Sequence, residues 1–200
     1  MMEHAPVLDT PRPATPAPAS ATQEAITILR LGPNEAAASI DALADVLIDC
    51  VKGGASVSFM ESLTRARALD YWRGVADGVA RNERVLLVAQ DAAGTIVGTA
   101  QLVTGMPDNQ PHRADVAKML VHRRARRQGI AQRLMAAVDD AARAEGKTVL
   151  VLDTATGGDA ERLYERAGWQ RAGVIPDYAL MPDGAMCSTT LFYKRVEAAR

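Results

Sequence analysis

The sequence predicts an α/β (α+β) domain: a mixed central sheet with helices packed against it. Three observations carry this. Short runs rich in Val, Ile and Leu recur along the chain from residue 25 to residue 196. Between them lie stretches with apolar residues at three- and four-residue spacing, the mark of amphipathic helices. One such stretch joins two strand-like runs as a crossover long enough to make them parallel and right-handed.

AITILRL (25–31) alternates and ends at Gly32-Pro33, which marks a first strand. Pro33 is suited to open a helix, and Ile40, Leu43, Ala44, Leu47 and Val51 give it one apolar face. Gly53-Gly54 stops that helix, and GGASVSFM (53–60) reads as a loop. A second helix is expected over 62–81, with Leu69, Trp72, Ala76 and Val79 turned inward. ERVLLVAQ (83–90) and TIVGTAQLV (95–103) are strands joined by a hairpin turn at Asp91–Gly94. GMPDNQPHR (105–113) is a loop, and ADVAKMLV (114–121) is the fourth strand. The helix at 129–145 carries Ile130, Leu134, Val138 and Ala142 four apart and closes at Gly146. TVLVLDT (148–154) is a continuous apolar run, as expected of a strand buried on both faces. GDAERLYERAG (158–168) is a short helix, and WQRAGVI (169–175) and MCSTTLFYKRV (186–196) are the last strands. The residues between those two strands read as a late loop.

Composition limits the function. The chain has 200 residues, is 48% hydrophobic and 24% charged, and carries a formal net charge of -1. This suits one globular domain and argues against a general nucleic-acid binder, which would be basic throughout. Cys50 and Cys187 lie far apart and match no metal-ligand spacing, so neither a disulfide framework nor a metal site is expected, and a reducing cytoplasm fits. The three histidines are scattered. No apolar run approaches the ~20 residues of a membrane span. Residues 1–24 have neither a basic nor an apolar signal segment; their Pro/Ala/Thr bias reads as a disordered tail before a single domain at 25–200.

The stretch KMLVHRRARRQGIAQRLM (118–135) carries the chemistry. A strand hands over to a helix through a burst of arginines and a glycine. The first turn of a helix has N–H groups without partners, and the helix dipole adds positive charge there. Together they form an anion site suited to phosphate. Gly129 and the small Ala131 allow close approach to the backbone, and the amides of 127–131 can face one pyrophosphate. Two other phosphate motifs fail. No G-x-G-x-x-G follows a strand. Gly146-Lys147-Thr148 resembles the end of a Walker loop, but it closes a helix and Ala141 replaces the first glycine.

Arg126-Arg127-Gln128-Gly129-Ile130-Ala131, following Met119-Leu120-Val121, resembles the Q/R-x-x-G-x-G/A signature of the GCN5-related N-acetyltransferases (GNAT). Ala160-x-x-Leu163-Tyr164-x-x-x-Gly168-Trp169 is similar to a later helix motif of the same superfamily, and the element order from 25 to 196 matches its fold. GGASVSFM, NQPHRADVAKMLV, LDTATG, ERLYERAGW and VIPDYALMPDG further resemble the subgroup that includes the tabtoxin resistance acetyltransferase, over about residues 45–195. Two departures stand out: Ala131 replaces the second glycine, and His122, not proline, follows Val121.

The resemblance implies a mostly antiparallel sheet whose parallel fourth and fifth strands splay apart. It implies acetyl-CoA as co-substrate, no metal, and direct transfer of the acetyl group to an amine. Met119, Leu120 and Val121 would face the pantetheine and polarise the thioester carbonyl, and residues 126–131 would hold the pyrophosphate. Tyr164 falls at the general-acid position, where a phenol of ordinary pKa near 10 is protonated at neutral pH; a core tyrosine on a helix face is the other reading. Asp153 is the expected base, its pKa raised by burial at the strand end, or else it caps the following loop. For the acceptor, Ser56, Ser58, Phe59 and Met60 in the glycine-rich loop, Asn109, His112 and Arg113 before the fourth strand, and Asp177, Tyr178 and Asp183 in the late loop are candidates, or plain surface residues. His112 is an alternative base. Arg123 and Arg124 reach the CoA 3′-phosphate or stay solvated. The acceptor is expected to be a small-molecule amine, in resistance to an antimetabolite or antibiotic. A protein N-terminal or lysine acetyltransferase and a CoA-binding sensor without turnover stay open, as do a monomer and a homodimer built on the final strands. No nucleic-acid or membrane partner is expected.

Overall fold

The computed structural model describes residues 26–197; the segment read as a tail lies outside them. The chain opens with β1 (Thr27–Leu31), then α1 (Pro33–Ala38), α2 (Ile40–Lys52) and α3 (Arg65–Ala80). The hairpin β2 (Arg84–Gln90) and β3 (Ile96–Val103) leads to β4 (Arg113–Val121). A 3₁₀ turn (Arg123–Ala125) precedes α4 (Ile130–Ala144), β5 (Val149–Ala155), α5 (Asp159–Arg166), β6 (Gln170–Leu180) and β7 (Met186–Arg195). The seven strands form one sheet in the order β1-β2-β3-β4-β5-β7-β6. Every pairing is antiparallel except β4 with β5.

Alternation along the strands splits the core in two. Val85, Leu87, Leu102, Leu150 and Leu152 pack with Ile130, Leu134 and Val138 of α4 and Tyr164 of α5. On the other face Leu86, Val88 and Leu120 pack with Leu43 and Leu47 of α2 and Trp72 of α3. Trp72 is fully buried and meets Tyr71 edge-on at 5.2 Å, a pair worth about 0.5–1.5 kcal/mol beyond burial. Among the described residues no helix is long and apolar enough to cross a membrane.

Three expectations are corrected. The helix opened by Pro33 breaks at Ser39, whose N–H turns back to Glu35 and Ala36 in a tightened last turn, so α1 and α2 are separate. The late loop is shorter than expected because β6 runs on to Leu180, with Asp177 and Tyr178 inside it. Pro176 does not end the strand: β6 is an edge strand with a register shift between Ile175 and Ala179, where a missing N–H costs no ladder bond. β5 alternates in burial instead of being buried on both faces, and Asp153 is exposed.

Candidate active site

The site is set by a parting of two strands. β4 and β5 pair only from Arg113 with Val149 to Asp115 with Val151. Beyond that β4 follows β3 and β5 follows β7, so a gap opens between their C-terminal halves. A bulge deepens it. The β3–β4 register shifts between Thr99 and Gln101, and Lys118 opposite takes φ +49, the left-handed region that side chains other than glycine rarely adopt. The amide of His122 donates to Val97 O at 2.8 Å. By antiparallel alternation the backbone of Met119 and Val121 then faces the gap, and that of Leu120 faces β3.

The arginine-rich junction lies at the mouth of the gap. Gly129 is the N-cap of α4 at φ +73, and no side chain caps it. No acidic residue stands in the first turn, so the N–H groups there meet a cleft with their partial charge uncompensated. Val121, Arg126, Arg127, Gly129, Ile130 and Ala131 line this cleft. Gln128 stands beside it. Leu163 and Arg166 of α5 form the opposite wall and were missed; Arg166, two residues after Tyr164 in a motif already singled out, was the available signal. Arg126 Nε donates to Val121 O (3.2 Å), and Cys50 Sγ lies 3.4 Å from the same oxygen. Burial pushes the Cys50 thiol up, against the pull of Arg126.

Arg123 and Arg124 stay exposed to solvent, and each is paired with a carboxylate. Arg123 donates to Asp49 through its backbone N–H and its guanidinium, and Arg124 pairs with Asp91 at 3.0 Å. The burst therefore divides into two arginines that tie the junction to its surroundings and two that line the cleft.

Tyr164 lies 6% exposed among Phe192 (5.8 Å) and Trp169 (6.1 Å). Burial, and after it the charge of Asp153, push its phenol up to about 12. Its hydroxyl makes no hydrogen bond among the described residues, so its proton is held and unspent. Tyr164 is therefore a core tyrosine whose hydroxyl has no partner among the described residues. Asp153 accepts from Thr189 Oγ1 at 3.3 Å. It is exposed at the strand end, not buried there.

The glycine-rich loop packs against the late hairpin and β4. Ser56 Oγ donates to Leu180 O (3.3 Å) and lies 4.0 Å from Cys187 Sγ; Glu61 N donates to Pro182 O (2.9 Å). Phe59 meets Tyr71 edge-on at 5.4 Å, and Met60 is exposed. Tyr178 lies on the exposed edge strand, and Asp183 accepts from Ala185 N within the hairpin turn. Asn109, His112 and Arg113 stand apart: they lie where β4 and β5 are still paired, roughly 25 Å along the strand from Val121. His112 there serves Thr148 and Val149 through its carbonyl, and Arg113 bonds Gln110 and Asp115. His112 therefore lies at the opposite end of β4 from Val121. Lys118 and Tyr71 are the residues sequence reasoning missed on the acceptor side. Lys118 Nζ lies 5.4 Å from the Tyr71 ring centre and 5.9 Å from that of Phe59, and donates to Ser58 Oγ (3.3 Å). A single lysine inside the apolar run of β4 was the signal.

Among the described residues no group of three or more His, Cys, Asp or Glu side chains is placed to hold a metal ion.

Comparison with known proteins agrees with this geometry. A relative from Azospirillum brasilense, described as an uncharacterized N-acetyltransferase in the hisH-hisA intergenic region, is 38% identical over 113 residues. That match spans 56% of this chain and 65% of the relative's own length. The yncA structure from Salmonella typhimurium, solved with its cofactor acetyl-CoA, superposes with a TM-score of 0.71 at 17% identity, over 88% of this chain and 96% of that one. A ribosomal-protein-alanine N-acetyltransferase from Brucella melitensis superposes with a TM-score of 0.72 at 22% identity, over 85% and 99%. These two likenesses establish a shared fold. The model of the acetyltransferase (GNAT) family matches residues 53–169, from the glycine-rich loop through β4, the cleft and α5 to Trp169. With more than half of its length under that match, the chain belongs to the acetyltransferase (GNAT) family.

Proposed function

We propose that this protein transfers the acetyl group of acetyl-CoA to the amine of a small molecule. The observation that carries the reading is the junction of the β4–β5 gap with the uncapped N-terminus of α4. The gap offers backbone groups at Met119 and Val121 to an extended amide chain, and the α4 N-terminus offers N–H groups to a pyrophosphate. Acetyl-CoA carries both, and the yncA structure of like fold holds it.

In this reading the Val121 and Met119 amides lie beside the thioester and polarise its carbonyl. Tyr164, held protonated by burial, donates a hydrogen bond to the departing sulfur. A phenol near 12 is a weak acid, so it stabilises the thiolate by a hydrogen bond ahead of full proton transfer. Asp153, at the open end of β5, takes the proton of the acceptor amine directly or through water. A small acceptor is favoured by the rim itself, since the loop 53–60 is bonded to the β6–β7 hairpin across the opening. A resistance role against an amine-bearing toxin goes with the narrower sequence resemblance. A cytoplasmic setting suits the two free thiols, Cys50 and Cys187.

Calorimetry with acetyl-CoA, followed by thiol release across amines, amino acids and short peptides, tests this. Binding with turnover on small amines is the expected result. Turnover confined to peptides moves the assignment to a protein acetyltransferase. Binding without turnover leaves a sensor, and absence of binding overturns the reading.

A further inference from the structure

Lys118 is held in an unusual way for a strand lysine. Its left-handed backbone is a strained conformation that the surroundings must hold in place. Thr99 Oγ1 fixes its carbonyl with a 2.8 Å bond. The bulge throws its side chain toward α3, against the faces of Tyr71 and Phe59. Tyr71 is itself clamped: its hydroxyl accepts from Gln101 Nε2 (3.0 Å), and Gln101 Oε1 accepts from Arg84 (2.9 Å). Gln101 is fully buried. A chain of three buried or half-buried polar groups thus serves to place one ammonium.

That ammonium is under-used. It has three N–H donors, and the one bond it makes among the described residues, to Ser58 Oγ, is long at 3.3 Å. It forms no ion pair among the described residues, although it is half-buried. Burial pushes it below its usual pKa, with Arg84 adding to this and Asp153 opposing. The aromatic faces favour the charged form, so the group is better suited to meet an anion than to act as a base. The charged groups around it are Arg84 behind Tyr71, Arg67 over the far side of Phe59 (5.8 Å) and Asp153. Leu150 and Leu152 point to the α4 side, so Asp153 faces the same side as Lys118. A cation and an anion therefore share one face, either side of the gap where the acetyl group would arrive.

We propose that Lys118, with Ser58, receives a carboxylate of the acceptor, so that the acceptor is an amino-acid-like molecule with an acid group near the amine to be acetylated. This rests on the acetyl-transfer reading above. Lys118 sets specificity; Asp153 faces the amine.

The test uses the full chain and two readouts. In the first, thiol release is followed with matched pairs, each an L-amino acid and its amide. Wild type should favour the acid by about tenfold to a hundredfold in kcat/KM, the worth of one charge-assisted hydrogen bond. Lys118→Met should lose that preference through a raised KM for the acid, with the amide unchanged, and Lys118→Arg should restore part of it. In the second, the ring resonances of Phe59 and Tyr71 are followed while the same pairs are titrated, which needs no turnover. Shifts with acids and not amides, lost in Lys118→Met, support the proposal. Equal shifts with amides, shifts kept in Lys118→Met, no shift with any acid, or an equal drop in kcat for both partners of a pair overturns it. Failure of acetyl-CoA to bind overturns the transfer reading while leaving the titration readable.

Discussion

Asp49 and Arg123 grip one another three times: the Arg123 backbone N–H reaches Oδ2 at 2.8 Å, and Nε and a terminal guanidinium nitrogen reach Oδ1, each at 2.9 Å. The pair ties α2 to the turn that leads into α4, and so fixes where the cleft begins.

Burial alone would raise the Asp49 carboxyl. The bonds from Arg123, with the charges of His122 and Arg123, outweigh it and hold the group below its ordinary 3.8. A folded value below the unfolded one gives stability that is complete above about pH 4 and lost as pH falls through the lower value. Asp49→Asn should therefore cost roughly 1–3 kcal/mol at neutral pH, and the deficit should shrink in acid. Urea unfolding of both proteins at neutral pH and below pH 4 measures this; a deficit that stays constant would mean the carboxylate charge is not the cause.

Gly129 and Gly146 make a matched pair. Both are left-handed (φ +73 and +65), and at both a Cβ meets nothing within 4 Å. Gly129→Ala and Gly146→Ala should each lose about 1–2 kcal/mol to backbone strain. Only Gly129→Ala should weaken acetyl-CoA binding, by about tenfold or more, the worth of one lost charge-assisted contact. Calorimetry on the two variants separates strain from loss of the site; equal affinities would place the pyrophosphate elsewhere.

Tyr164→Phe removes a hydroxyl that bonds nothing among the described residues, so stability at neutral pH should barely move. Under the proposed role kcat should fall by about 10²-fold with acetyl-CoA affinity kept. Because the phenol is raised to about 12, the wild type should lose stability as pH climbs from about 10, where the unfolded tyrosine ionises, toward the folded value. The variant should lack that alkaline loss. An unchanged kcat would return Tyr164 to a purely packing role.

Asp153 raises the pKa of both Tyr164 and Lys118 by its charge. In Asp153→Asn the Tyr164 phenol should ionise at lower pH, visible by ultraviolet titration of the tyrosines. If the carboxylate is also the base, kcat/KM should fall by about 10²-fold. A shifted titration with full activity would leave it an electrostatic neighbour only.

The fold was legible in the sequence because each strand and helix declares itself locally. Alternation in AITILRL, the four-residue spacing of Ile130, Leu134 and Val138, and the Asp91–Gly94 turn all depend on neighbours in the chain. The misses depend on distant partners. Pro176 sits within a strand only because β6 has no outer neighbour in the sheet. Arg123 and Arg124 look alike in sequence to Arg126 and Arg127, and only Asp49 and Asp91, brought in from α2 and the hairpin, tell them apart. Lys118 escaped for the same reason: its aim comes from a bulge set by β3, and its surroundings come from the loop 53–60 and α3. For His112, nearness to β4 in sequence said nothing about which end of the strand it occupies.

The parting of β4 from β5 gives the sheet an inner border in addition to the rims at β1 and β6. Exposed strand borders are templates for unwanted chain pairing, and proteins ordinarily shield them. Under the proposed function the shield would be a small molecule. A ligand that pairs along Met119 and Val121 completes the sheet, and at a hundredfold excess over its Kd it adds about 2.7 kcal/mol to the folded state. If acetyl-CoA is that ligand, its supply would bear on how long the protein survives as well as on how fast it works.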